Sequence, residues 1–226
     1  MNAGRVAWAV GAYLAGTFPS AYLISRANHA QAVLEGSNRR SGEGDAHVLI
    51  KAHLGGGWGT LAAILDVAKG LVYALAAEYL GSLPESWLAT VSVLIVVGHS
   101  FPFYARSMGG RGLSAAAGVF LTLLPVAMVV AGVVIVIGYV LRTTGPASTL
   151  GFGFAPVVAW ITGQPGARVA MAAAIFGVIL LRRAEGIQLA AARKGWPSAL
   201  VRRLVFDADR PASEVAVPGT EEVSQP

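Results

Sequence analysis

The residues best suited to handle an anion gather in one stretch, Gly98-His99-Ser100-Phe101-Pro102-Phe103-Tyr104-Ala105-Arg106-Ser107-Met108-Gly109-Gly110-Arg111-Gly112. It leaves one apolar run, Trp87 to Val97, and enters another, Leu113 to Leu141. Gly109, Gly110 and Gly112 flank Arg111, so the backbone can turn tightly and present N–H groups to an anion. A helix predicted to start near Leu113 would add its free N–H groups and the positive end of its dipole. Apolar walls, a basic loop and a helix N-terminus together describe a phosphate site at a membrane surface. A tight interhelical turn with ordinary inner-side arginines has the same composition.

Two further groups belong with this stretch. Asp66-Val67-Ala68-Lys69-Gly70 lies inside an apolar run. Charges there are costly and face a cavity or a partner. Asp66 and Lys69 are three apart, so on a helix they can pair. A structural pair with a snorkelling lysine is the plainer alternative. Ser41-Gly42-Glu43-Gly44-Asp45, preceded by Arg39-Arg40, is a polar loop whose small residues allow close approach to a ligand and whose Ser41 offers a hydroxyl. His99 can accept a proton from a hydroxyl nucleophile, donate to phosphate, or serve as a structural hydrogen-bonder. His29, His47 and His53 read as solvated. No metal set, Gly-x-Ser-x-Gly elbow, P-loop or His-x4-Asp arrangement occurs. With no cysteine, disulfides and thiol chemistry are excluded.

The elements that must position these residues are membrane helices. Charged residues are only 13% of the chain and the mean hydropathy is +0.62, against about 25% charged in soluble domains. We therefore expect an all-α, polytopic membrane bundle. The predicted spans are Val6–Ile24, Trp58–Leu80, Trp87–Tyr104, Leu113–Leu141, Ser148–Ile161 and Ala167–Leu181. Leu113–Leu141 would be about 43 Å long as one helix, against a hydrocarbon core of about 30 Å. Pro125 near its middle predicts a split into two spans or half-spans. The count is then about seven crossings, some short or broken. With the N-terminus outside, nearly every Lys and Arg falls on the inner side, including Arg26 to Gly57, Arg106 to Arg111 and the C-terminal arginines. Without the split, Arg182 to Arg203 would lie outside.

Up to Leu204 there are 16 basic and 7 acidic side chains; beyond it there are one and five. A single membrane-embedded domain over 1–204 and a disordered acidic tail over 205–226 are expected, with Glu185–Leu204 as an amphipathic inner-surface helix. A basic membrane protein suits anionic lipid heads or phosphorylated substrates. No basic face with interleaved aromatics points to nucleic acid.

Several pieces, in order, resemble the bacterial acyl-phosphate-dependent glycerol-3-phosphate acyltransferases, a family of integral membrane enzymes. Gly16-Thr17-Phe18-Pro19-Ser20-Ala21-Tyr22-Leu23-Ile24 is similar to the end of the family's first span. Asp66-Val67-Ala68-Lys69-Gly70 resembles Asp-Ile-Leu-Lys-Gly. Gly98-His99-Ser100-Phe101-Pro102 with Gly109-Gly110-Arg111-Gly112 resembles Gly-His-x-Phe-Pro with Gly-Gly-Lys-Gly. The likeness spans about residues 10–190. The family's first-motif loop is kept only at Ser41, Gly42 and Ala46. Lys51 stands near a family arginine, and Met108 replaces a usual lysine. The third motif, His-x-x-Asn-Ile-x-Arg-Leu, stands as Arg183-Ala184-Glu185-Gly186-Ile187-Gln188-Leu189-Ala190, losing its His, Asn and Arg.

The resemblance implies seven spans in a bacterial inner membrane, an N-terminus outside, a cytoplasmic C-terminus and an inward-facing site. It implies acyl transfer from acyl phosphate to the 1-hydroxyl of glycerol 3-phosphate, giving lysophosphatidic acid. The substrates and membrane lipids are the implied partners, and no cofactor or metal is expected. Ser41, Lys69 and His99 are the catalytic candidates. Arg39, Arg40, Gly42, Lys51, Gly109, Gly110, Arg111, Gly112 and Arg183 are the phosphate-binding candidates. Two alternatives remain open. A catalytically impaired or repurposed relative would bind phospholipid or a phosphorylated ligand without turnover. A small transporter or flippase would also use broken helices and intramembrane charges, but near the midplane and with internal repeats.

Overall fold

The computed structural model describes residues 3–31, 34, 46–104, 109–184, 195–201 and 204. They form ten helices and no strand among the described residues. In chain order these are α1 (Ala3–Gly16), α2 (Ser20–Ala27), α3 (Ala46–Leu54), α4 (Gly56–Tyr79), α5 (Glu85–Ser100), α6 (Leu113–Leu123), α7 (Pro125–Val140), α8 (Thr144–Ile161), α9 (Gly166–Ala184) and α10 (Trp196–Leu200).

Prolines set several of the boundaries. The expected span Val6–Ile24 is instead two helices, because Pro19 lacks the N–H that would continue α1. Pro84 precedes α5, and Pro102 follows the Phe101 cap that ends it, so the span expected to reach Tyr104 stops at Ser100. Pro125 occupies the first turn of α7, where its fixed φ is tolerated. The run Leu113–Leu141 is therefore split at Leu124, as the sequence predicts. Helix α9, the last expected span, runs farther than Leu181, so Arg182 and Arg183 are helical and buried rather than following the helix.

Helices α1, α4, α5, α6, α7, α8 and α9 alternate in direction, and their ends gather at two poles. Two glycine-mediated crossings hold the site-bearing helices together. A Cβ at Gly70 of α4 would lie 2.2 Å from the Ala115 carbonyl oxygen of α6, and one at Gly118 would lie 2.1 Å from that of Val67. A Cβ at Gly16 of α1 would lie 2.2 Å from the Ile95 carbonyl of α5, and one at Gly98 2.1 Å from that of Tyr13. Only small residues let backbones approach this closely, as at membrane helix interfaces. Phe120 of α6 stacks on Phe152 of α8 at 5.7 Å inside the main core. At the pole opposite the site, Arg168 of α9 bridges Glu78 and Glu85 and donates to the Leu123 carbonyl, tying α4, α5, α6 and α9.

The outside of the bundle is apolar. On α7, Val129, Val133, Val136 and Val140 form one outward stripe at helical spacing, each more than half exposed. An apolar stripe turned away from the core needs a non-aqueous neighbour, and the molecule is an integral membrane bundle. Among the described residues α4 is long and apolar enough to cross a bilayer by length and composition, and α5, α6 and α7 are shorter apolar helices. Most of the expected Glu185–Leu204 surface helix, and the tail 205–226, lie outside the described residues.

Candidate functional site

Asp66 is the hub of the site. It faces inward from α4 and is buried. Its Oδ1 accepts from the Ser20 hydroxyl at 2.5 Å and from the Lys69 ammonium at 2.9 Å, and the His99 Nδ1 lies 3.7 Å away. The Asp66–Lys69 pairing expected from their spacing is thus present, but it is one edge of a larger cluster. Ser20 reaches it because the Pro19 break starts α2 against α4. His99 reaches it from the last turn of α5, where it too is buried.

The broken first helix also supplies acceptors. The Phe18 carbonyl accepts from the Lys69 ammonium at 3.1 Å, and the Thr17 carbonyl accepts from the Tyr104 hydroxyl. A buried carboxylate with a cation and a hydroxyl on it meets the condition for keeping a charge inside a membrane protein. Above the cluster opens a cleft. Thr17, Ser20, Asp66, Lys69, His99 and Tyr104 give it polar lining, and Phe18, Tyr22 and Pro102 give it apolar walls. Among the described residues no three His, Asp or Glu side chains gather as metal ligands would.

The glycine loop closes the side of this cleft. The Gly110 N–H donates to the His99 carbonyl at 3.1 Å, and Gly110 itself lines the cleft. A Cβ on Gly110 would fall 2.1 Å from the His99 Nε2, so the imidazole rests directly on this glycine. A Cβ on Gly109 would fall 2.0 Å from the Ser100 carbonyl oxygen. Gly112 has φ +89°, the left-handed region that favours glycine, and α6 starts immediately after it.

The structure therefore brings together Lys69, His99 and Gly110, with Gly109 and Gly112 shaping the loop. Arg111 is half-buried between those glycines but does not line the cleft. Lys51 is exposed on α3 and does not line it either. Arg183 is directed elsewhere: its guanidinium donates to the hydroxyls of Ser148 and Thr149 on α8 and to the Leu204 carbonyl. Arg39, Arg40, Ser41 and Gly42 lie outside the described residues.

Three site residues were not singled out by the sequence. Ser20 and Tyr104 are ordinary in type, and only the three-dimensional meeting of α2, α4 and the end of α5 gives them a role. From the sequence Arg182 is an inner-side charge that, with Arg183 and Glu185, could partly substitute for the lost third motif; in the structure it is buried and donates to the Gly109 and Gly110 carbonyls. The signal for it was its place in the Arg182-Arg183 pair closing the last apolar run.

Comparison with known proteins matches this arrangement. The family model for glycerol-3-phosphate acyltransferase matches residues 6–192. A protein of that name from Pseudomonas paraeruginosa is 32% identical over 191 residues, covering 82% of this chain and 96% of its own length. One from Geotalea daltonii is 27% identical over 181 residues, covering 79% and 90%. Among solved structures, PlsY (YgiH), an integral membrane glycerol 3-phosphate acyltransferase, superposes in its glycerol 3-phosphate form with a TM-score of 0.71 at 23% identity, over 85% of this chain and 93% of that one. Its lysophosphatidic acid form gives 0.70 at 24% identity, over 87% and 98%. The helix order, the buried Asp66–Lys69–His99 cluster and the glycine loop thus sit in a chain whose matched span covers most of its length, and the chain belongs to the glycerol-3-phosphate acyltransferase family.

Proposed function

We propose that this chain is a membrane acyltransferase that moves a fatty acyl group from acyl phosphate to the 1-hydroxyl of glycerol 3-phosphate. The observation that supports it best is the buried Asp66–Lys69–His99 cluster, with Ser20, at the floor of a cleft bordered by the Gly109–Gly112 loop. Both substrates carry phosphate, and one carries a long apolar chain. The cleft offers a cation held in place by Asp66, and apolar walls from Phe18, Tyr22 and Pro102.

In the reaction the acceptor hydroxyl oxygen forms a bond to the acyl carbonyl carbon. The bond from that carbon to the phosphate oxygen breaks. Phosphate leaves, and the hydroxyl proton passes to a phosphate oxygen. The donor is already activated, so positioning and charge stabilisation can supply much of the rate without a Ser-His-Asp triad. Asp66 holds the Lys69 ammonium in place, and the ammonium meets a phosphate entering the cleft. His99 lies on the same floor and orients substrate. Arg111 adds charge at the start of α6. Ser41, Gly42, Arg39 and Arg40 enter this proposal from the sequence alone, as does Lys51.

The test is an assay of purified protein with acyl phosphate and glycerol 3-phosphate. Phosphate release that depends on the acceptor is the expected result. Release that ignores the acceptor, or none at all, overturns it. The second reading, a relative that binds phosphorylated ligands without turnover, draws on the altered third motif and on Arg183, which points at α8. Saturable binding of glycerol 3-phosphate without turnover would establish it.

The site pole is further proposed to face the cytoplasm in an inner membrane, with seven crossings and the N-terminus outside. The chain has no cysteine, so single cysteines at Ser37, Ser82 and Ser213 can be probed with an impermeant thiol reagent. Labelling of Ser82→Cys alone from outside is expected. Labelling of Ser213→Cys from outside would remove the seventh crossing.

A further inference from the structure

We infer that Arg182 is a positioning residue that sets the shape of the glycine loop for phosphate, a role that rests on the acyltransferase reading above. Arg182 sits in the last turn of α9, about seventy residues from the loop it touches. Its Nη2 donates to the Gly109 carbonyl at 2.7 Å, and its Nε approaches the Gly110 carbonyl at 3.4 Å. The guanidinium lies 5.6 Å from the centre of the Phe101 ring, within the range of a cation–π contact. Its side chain is buried, so these contacts are little screened by water.

A guanidinium suits this task. It is planar, permanently charged and offers several donors in a rigid fork. Two successive carbonyls of one turn can therefore be held by a single side chain.

The consequence for the loop follows from peptide geometry. In a trans peptide the C=O and the next N–H point in opposite directions, and no cis peptide occurs among the described residues. With the Gly110 carbonyl turned toward Arg182, the Arg111 N–H must point to the opposite side. The Gly109 carbonyl is held likewise, and the Gly110 N–H is committed to the His99 carbonyl. Gly112 then turns through its left-handed φ into α6, whose first N–H groups have no acceptor within the helix. Arg182 thus draws carbonyl oxygens, which repel phosphate, to one side of the loop. Turning these carbonyls away lowers the negative potential that a phosphate meets on the opposite side of the loop. A lysine in this place would keep the charge but not the two-carbonyl fork, and a glutamine would lose both charge and fork.

This role separates Arg182 from its neighbour. Arg183 is buried against α8, where its guanidinium donates to the hydroxyls of Ser148 and Thr149. Helix α9 therefore serves the phosphate loop through Arg182 and the packing of α8 through Arg183.

The experiment compares the parent with Arg182→Lys, Arg182→Gln and Phe101→Leu. The last removes the aromatic platform and leaves the charge untouched. Thermal midpoints are measured alongside KM for glycerol 3-phosphate, KM for acyl phosphate and kcat. The expected result is a KM for one phosphorylated substrate raised tenfold or more in Arg182→Gln, with the other changed less than threefold. Arg182→Lys should recover part of the loss, and Phe101→Leu should move the same KM by a smaller factor. Unchanged KM values, with kcat falling only in step with the thermal midpoint, would overturn the inference. If the parent shows no acceptor-dependent turnover, the acyltransferase reading fails separately. Calorimetric binding of inorganic phosphate then decides the role of Arg182. Binding by the parent that weakens tenfold in Arg182→Gln and by a smaller factor in Phe101→Leu supports it. Equal binding, or no binding by the parent, overturns it.

Discussion

Replacing Lys69 by Met removes the cation that sits 2.9 Å from the Asp66 carboxylate, where both side chains are about nine-tenths buried. The methionine fills nearly the same volume, so the change is electrostatic rather than steric. Asp66 would keep the Ser20 hydroxyl at 2.5 Å. Breaking a buried pair by removing one partner costs about 3–5 kcal/mol. At about 2–4 °C per kcal/mol for a chain of this size, the thermal midpoint should fall by roughly 6–20 °C. Asp66→Asn alone should also destabilise, since the ammonium would exchange a charged acceptor for a neutral one. The double variant Asp66→Asn with Lys69→Met removes both charges together. It should recover most of the lost stability, with a coupling energy of about 2 kcal/mol or more. Turnover should not return with it, because the cation proposed to meet phosphate is gone. The assay is thermal unfolding of purified protein in detergent, paired with acceptor-dependent phosphate release. A single Lys69→Met variant that unfolds within about 1 °C of the parent would refute the pairing energetics. A double variant with full turnover and unchanged acceptor affinity would refute the phosphate role and leave the pair purely structural.

Arg111→Ala should weaken phosphorylated ligands about ten- to hundredfold, the equivalent of a charged hydrogen bond of about 1.5–3 kcal/mol, while Arg111→Lys should be mild; competition with inorganic phosphate measures both. Gly70→Ala should destabilise by about 1–3 kcal/mol or more, because the new Cβ would lie 2.2 Å from the Ala115 carbonyl oxygen. Gly132→Ala on α7 meets nothing within 4 Å among the described residues and should be neutral or stabilising by up to about 1 kcal/mol; thermal midpoints compare the two. The Ser92 hydroxyl is buried without a hydrogen-bond partner among the described residues, so Ser92→Ala should leave stability unchanged or raise it by up to about 1 kcal/mol, and a clear loss would mean that the hydroxyl is satisfied.

Local chemistry made much of the fold readable. Pro125 inside an over-long apolar run forces a break whatever surrounds it, and the run is broken there. The Asp66–Lys69 spacing places both side chains on one helical face, and they pair. The boundaries that failed depended on neighbours. Nothing in Val6–Ile24 is charged, so composition favours one span. The Pro19 break is usable because Lys69 and Tyr104 donate to the carbonyls it exposes. Those donors lie 51 and 87 residues away in the chain. The meeting of Ser20, Asp66 and His99 is equally a product of close packing. It requires Gly16 and Gly98 to let α1 approach α5, and Gly70 and Gly118 to let α4 approach α6.

The pair Arg182-Arg183 shows where reading along the chain reaches its limit. As a sequence it is two inner-side charges after an apolar run, and the family likeness draws attention to Arg183, which stands in the place of the motif histidine. On a helix, adjacent residues point about 100° apart. Once α9 continues through Ala184, the two guanidiniums must therefore face different neighbours. Which one faces the glycine loop depends on the rotation of α9 about its own axis. That rotation is set by the burial of Met171, Ile175, Val178 and Ile179 on its core face. Arg182 follows Ile175 by seven residues and Ile179 by three, so it continues that buried stripe, whose Ile179 already packs beside Gly112. Arg183 lies one position on and reaches α8 instead. The helical phase that buries the apolar side chains is thus also what carries one charge to the loop and takes its neighbour away.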